Sequence, residues 1–175
     1  MSHDIDLIVN HTELAQITAV ADEISESRHF AGRKWRGSIN DIHIDLYLPH
    51  QSRLGARLKV RVEHLLPHVE TIDGWTVLSR PAHFVTKLAA LLDRPDTLPG
   101  QKDRRELLAL LNTGIDQGDV IEILRDAADL AEIDLPDLIQ EAFTYLAEDL
   151  DSKDARRRLR TTATFGVRAA QPRPT

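Results

Sequence analysis

The sequence contains no cysteine, so disulfides and thiolate metal sites are excluded and the composition fits a cytoplasmic protein. It also lacks long apolar runs. None approaches the roughly 18 residues that a membrane-spanning helix needs. No basic segment followed by an apolar stretch reads as a secretory leader. An excess of positive charge is missing too: the net charge is −6. That balance argues against a broadly basic nucleic-acid coat and leaves local basic patches as the only places where a phosphate backbone would be drawn. No internal repeat is visible. What remains is a chain of 175 residues, 42% of them hydrophobic, long enough for a sizeable core in one domain with a helical appendage.

Against that background the opening SHDIDLIVN stands out. Asp4 and Asp6 bracket one isoleucine and lead into Leu7, Ile8 and Val9, so residues 4–9 read as a short strand. Residues i and i+2 of a strand share a face, which puts the two carboxylates on one side, repelling each other unless a cation or proton lies between them. Residues 12–27 carry Leu14, Ile17, Val20, Ala21 and Ile24 at helical spacing, with Thr12 as the expected N-cap. A second strand is clearer still. From Asp41 onward, Asp41, His43, Asp45 and Tyr47 alternate with Ile42, Ile44, Leu46 and Leu48 up to Pro49, and residues 33–48 read as a hairpin. A further strand or turn is expected near Gly74–Leu78.

From Pro81 the pattern turns helical. Helices are expected over 82–93, 102–111, 119–131 and 136–149, the last with Asp134 as N-cap and Pro136 in its first turn. A basic segment, Arg156–Arg160, precedes a tail expected to be disordered. The fold class is therefore α+β (α/β): a small mixed β-sheet core over 1–80, a C-terminal helical bundle over 81–160, and a disordered tail over 161–175.

If the two strands are neighbours, about 4.8 Å apart, Asp4, Asp6 and Asp45 converge. Such a trio needs a divalent ion, and hard carboxylate oxygens suit magnesium, which keeps waters and shares its remaining positions with substrate phosphates. Two such ions stabilise both the attacking and the leaving oxygen of a phosphoryl group. The plain alternative is a pair of solvated aspartates at the mouth of a strand.

SHDIDLIV followed by a helix, then HIDLYLP on a later strand, resembles the nucleotidyltransferase fold of the DNA polymerase β type. Downstream, SRLGARL, GWTVLSRPAHFVTKLAALLDRP and QKDRRELLALL, in that order and spacing, resemble the AbiEii/MenT nucleotidyltransferases, the toxin halves of bacterial toxin–antitoxin pairs. The resemblance covers residues 2–112. It implies that Asp4, Asp6 and Asp45 hold Mg2+ or Mn2+, that Lys87 is the catalytic lysine neutralising the triphosphate of an NTP, and that Asp103 is a catalytic aspartate. It implies a tRNA 3′ end as acceptor, a block on translation, and a cognate antitoxin protein as partner. The Gly-Ser motif that the family carries ahead of its carboxylate pair would fall ahead of Met1; a catalytically impaired module that binds protein or RNA is therefore one alternative expectation, and a metal-dependent nuclease another.

By themselves, Lys87 reads as a lysine snorkelling off an amphipathic helix and Asp103 as a carboxylate complementing a helix N-terminus. Arg53, Arg57, Lys59 and Arg61 form a dense basic cluster, either a solvated face or the place where RNA docks. Arg156, Arg157, Arg158 and Arg160 carry the same two readings. Trp35, between Lys34 and Arg36, reads as a buried strand aromatic or a base-stacking platform. His64 and His68 have i,i+4 spacing, but Pro67 interrupts them and no third ligand for zinc is evident.

Overall fold

A computed structural model describes residues 4–29, 32–128, 133–148, 150 and 152–170. The chain runs β1 (Asp4–Ile8), α1 (His11–Val20), β2 (Glu23–His29), β3 (Gly32–Ile39) and β4 (Ile42–Tyr47). Two small hairpins follow: β5 (Arg53–Leu54) with β6 (Val60–Arg61), then β7 (Val69–Ile72) with β8 (Trp75–Leu78). The helices α2 (Arg80–Asp93), α3 (Leu98–Asn112), α4 (Gln117–Ala127), α5 (Leu135–Glu148) and α6 (Ser152–Ala170) complete it. The class is α+β, with a helical C-terminal region, as the sequence patterns indicate.

The main sheet has the order β1-β4-β3-β2. β1 lies parallel to β4, and the other pairs are antiparallel. β3 and β4 are joined by Asn40-Asp41, both at positive φ (50° and 64°), the backbone signature of a two-residue turn that matches strand twist. Strand alternation then sorts the side chains. Leu7 and Val9, Ile44 and Leu46, Trp35 and Ile39, and Ile24 form one apolar face, on which Leu14 and Ile17 of α1 pack. Asp4 and Asp6, His43, Asp45 and Tyr47, and Lys34 and Arg36 occupy the other. Trp35 thus belongs to the apolar layer.

The helical region has the larger core, running from Phe84, Leu88 and Leu91 of α2 through Leu107, Ile123 and Leu124 to Phe143 and Phe165. Ile8, on the polar face of the sheet, packs against this core and ties the two regions together. No described helix is long and apolar enough to cross a membrane.

Three local expectations are corrected. The helix expected over 12–27 ends at Val20, and residues 23–29 are a strand. Ile24 extends the helical spacing in the sequence, but pairing of β2 with β3 places it on the sheet's apolar face. The N-cap is Asn10, not Thr12: its side chain accepts from Glu13 N while Glu13 accepts from Asn10 N, a reciprocal capping box. The tail expected to be disordered from residue 161 is helical to Ala170. Phe165 holds it, stacked on Phe84 at 6.2 Å and tilted on Phe143 at 5.5 Å between ring centroids. Residues 129–131 and 149, expected at helix ends, and 171–175 of the tail lie outside the described residues.

Candidate active site

The polar face of the main sheet lies within electrostatic reach of α2, since Lys87 acts on Asp6 and Asp6 on His83. The β1–β4 register sets Asp6 directly opposite Asp45, and Asp4 opposite His43. Asp6 and Asp45 are therefore lateral neighbours on adjacent strands, with Asp4 two residues along the same face; both β1 carboxylates are exposed. Desolvation by the surrounding protein, and then the charge of Asp45, raise the Asp6 carboxyl above its ordinary pKa. The Tyr47 hydroxyl donates to Asp6 Oδ1 at 3.3 Å, and the charges of Lys34 and Lys87 also favour ionisation, offsetting part of that rise. Tyr47 is in turn held as the neutral phenol by burial and by Asp6 and Asp45.

Asp45 has partners of its own. Lys34 Nζ lies 2.5 Å from its Oδ2 and Arg36 Nε 3.3 Å from its Oδ1, both reaching across from β3. Among the described residues no group of three or more His, Cys, Asp or Glu side chains converges as a metal cage. The donor set that does come together is a pair of hard carboxylate oxygens flanked by Asp4. One or two carboxylates completed by water and substrate phosphates is the usual protein share of a magnesium site, so the chemistry of this pair fits Mg2+ or Mn2+.

α2 supplies the opposing charge. Ser79 caps it, accepting from Ala82 N, and Pro81 occupies its first turn. Lys87 follows two turns in, with its ammonium 3.3 Å from Asp103 Oδ1 and 2.7 Å from Glu106 Oε2. Partial burial works against that charge, but Glu106 and Asp103 outweigh it and raise its pKa. Lys87 is protonated at any physiological pH. His83, one turn earlier on α2, is pushed the other way by burial and then by Lys87.

Asp103 is only 1% exposed. It does not complement a helix N-terminus, because α3 begins at Leu98 and puts it beyond the first turn. It is the junction of an ion-pair network instead. Arg94, just past α2, reaches Asp103 Oδ2 through Nε at 2.9 Å and Nη2 at 2.7 Å, opposite Lys87. Gly100 makes this possible: a Cβ there would sit 1.9 Å from the Arg94 carbonyl oxygen, so only glycine lets α3 start against the loop that carries Arg94. Arg94, Glu106, His83, Lys34 and Arg36 were not singled out from the sequence as site residues. Only the last two left a signal, their i,i+2 spacing on a strand.

In the basic cluster after β4, Arg53 and Arg61 are register partners across the β5–β6 hairpin, while Arg57 and Arg61 are taken up by protein acceptors. Arg57 forms a two-pronged ion pair with Glu141 of α5, Nη2 to Oε2 at 2.6 Å, and Tyr145 donates to the same carboxylate. Its backbone N–H, with that of Ala56, donates to Asp93 at the end of α2. Arg61 donates to the Asp126 carbonyl at 3.1 Å. These two arginines brace the β5–β6 hairpin against the helices. Arg53 is exposed and Lys59 half-buried. In the later basic segment, Arg158 is buried against Asn112, while Arg156, Arg157 and Arg160 are exposed.

No protein family, curated protein or solved structure matches the chain.

Proposed function

We propose that the chain is a cytoplasmic, divalent-ion-dependent nucleotidyltransferase that transfers a nucleotide from an NTP to RNA. Following the AbiEii/MenT resemblance, the acceptor is the 3′ end of tRNA, the consequence is a block on translation, and the partner is a cognate antitoxin protein. The observation that carries the reading is the Asp6–Asp45 pair on neighbouring parallel strands, with the protonated Lys87 close enough to favour ionisation of Asp6.

Asp6 and Asp45, with Asp4 beside them, would hold the metal. A bound divalent ion supplies electrostatic stabilisation of the attacking and leaving oxygens in an in-line displacement. Lys87 lies on the helical side and offsets triphosphate charge, with Glu106 and Asp103 fixing where its ammonium points. Arg94 holds Asp103 in place and is a positioning residue. Tyr47 orients the Asp6 carboxylate by donating to one oxygen.

The test is incorporation of each labelled NTP into total tRNA with and without magnesium. The expected result is magnesium-dependent extension, abolished by Asp45→Ala while far-UV circular dichroism stays native. Transfer that persists in Asp45→Ala removes that residue from the mechanism. Shortened RNA products point to a nuclease. Engagement of both Asp45 oxygens by Lys34 and Arg36 favours a second reading, a non-catalytic module that binds RNA or protein, and absence of incorporation with every NTP supports it.

A further inference from the structure

Lys34 and Arg36 have no part in the transfer chemistry proposed above, yet they occupy its centre. Both project from β3 onto the polar face, where Arg36 is the register partner of Asp45 and Lys34 that of Tyr47. Between them they take both oxygens of Asp45. The two contacts differ in quality. Arg36 is 55% exposed and 3.3 Å away, a loose surface pair, whereas the Lys34 side chain is 18% exposed and lies 2.5 Å from its oxygen. The Lys34 ammonium also lies 5.6 Å from the centre of the Tyr47 ring, within cation–π range. Tyr47 is the residue that donates to Asp6. The charge of Lys34 also reaches Asp6 and favours its ionised form. One ammonium therefore pairs directly with Asp45, from the β3 side, and acts on Asp6 beyond it through its charge.

Two carboxylates side by side are costly without a cation between them. We propose that Lys34 is the resident counter-ion of the Asp6–Asp45 pair, and that a divalent ion binds there by exchange, displacing the Lys34 ammonium from Asp45. The inference rests on the reading of that pair as a metal site and adds a determinant of metal affinity from within the chain. Lys34 holds the sheet's polar face together when no divalent ion is present. It also weakens divalent-ion binding, because the entering ion must first break a short, largely shielded ion pair. The effect requires the positive charge at this position and not the lysine stem, so an arginine retains it and a neutral side chain removes it.

The experiment measures Mn2+ binding to the full chain without nucleotide, by the paramagnetic resonance signal of free Mn2+. Lys34→Gln is expected to bind Mn2+ about tenfold more tightly than the wild type, in the range by which residues flanking a metal site tune affinity. Lys34→Arg is expected to match the wild type, and Asp6→Asn added to Lys34→Gln to abolish the gain. Equal or weaker binding by folded Lys34→Gln overturns the proposal. If the wild type binds Mn2+ through Asp6 and Lys34→Gln leaves the affinity unchanged, the exchange alone is wrong. If neither binds Mn2+, the exchange falls together with the metal reading. A second measurement needs no neutral variant: saturating Mg2+ is expected to shift the side-chain Cε resonance of Lys34, assigned by its loss in Lys34→Arg. A resonance that does not move as Mg2+ saturates the site also overturns the exchange.

Discussion

The sheet and the helical region are built to different standards. The sheet's apolar layer contains three buried side chains, Val9, Ile44 and Leu46, and the helix covering it, α1, has no buried residue at all. The helical region buries Phe165 against both Phe84 and Phe143, within a core that draws on α2, α3, α4, α5 and α6. The candidate site straddles this difference. Asp4, Asp6 and Asp45 stand on the strands of the thinly packed sheet, while Lys87, Asp103 and Arg94 belong to the helical region. Regions with few buried apolar contacts open at lower free energy than cores. The cationic half of the site is therefore fixed by packing, whereas the carboxylate half depends on a small hydrophobic cluster and on cations that neutralise it.

Three experiments break or sharpen that contrast. The largest effect is expected from Phe143→Ala, which removes a ring shared by α5 and the α2–α6 contact. A fully buried phenylalanine truncated to alanine costs about 3–5 kcal/mol, enough to lower the thermal midpoint of the whole chain. A loss under about 1 kcal/mol would show that the helical core is loosely packed.

Leu46→Ala comes next. Leu46 is fully buried between Leu7 and Trp35, its register partners on β1 and β3. A loss of about 2–3 kcal/mol is expected, at the low end for Leu→Ala because the cluster is small enough to collapse. The near-ultraviolet signal of Trp35 should weaken while most helical far-ultraviolet signal survives. Coincident loss of both signals would mean that sheet and helices unfold as one unit, and the contrast between them would fail.

The smallest effect concerns Asp6. Its pKa is raised on folding, by desolvation and by Asp45, so its ionised form is disfavoured in the folded state. Below the unfolded pKa the group is protonated in both states and costs nothing. The cost enters as pH rises from the unfolded pKa and is complete above the folded one. Asp6→Asn should therefore stabilise the protein at pH 7 by roughly 0.3 kcal/mol, a small gain because the residue stays open to solvent, and by nothing near about pH 3. Thermal melts across that range check it. Destabilisation at pH 7 would show that Lys34 and Tyr47 hold the Asp6 charge better than Asp45 and desolvation disfavour it.

Much of this arrangement is legible in the residues. Strict alternation around Ile44 and Leu46 marks β4 and puts His43, Asp45 and Tyr47 on one face. The helical spacing in 82–93 and 136–149 marks α2 and α5, and Asp134 accepts from Asp137 N at the start of α5 as expected. β2 is not legible, because Ile24 fits a helical stripe as well as a strand and only pairing with β3 decides between them. α6 is not legible either. Its glycine and its run of threonines argue against a helix, and what stabilises it is one phenylalanine seated in a distant core. Arg57 and Arg61 look like members of a phosphate-binding patch, since their partners, Glu141 and the Asp126 carbonyl, lie far along the chain. Arg94 and Glu106 go unmarked because their contacts with Asp103 and Lys87 form only when α3 packs against α2.

The sequence by itself determined which side chains share a face: Asp4 with Asp6, His43 with Asp45 and Tyr47, Lys34 with Arg36. Strand periodicity is a property of each residue and its immediate neighbours, so no tertiary information is needed for it. Only the tertiary structure decided that β1 lies beside β4, that Asp6 stands opposite Asp45, and that α2 brings Lys87 close enough for its charge to act on Asp6. Those choices follow from burying Ile44 and Leu46 beneath α1 and Ile8 against the helical core. Such burial depends on residues far apart in the chain and leaves no local pattern to read.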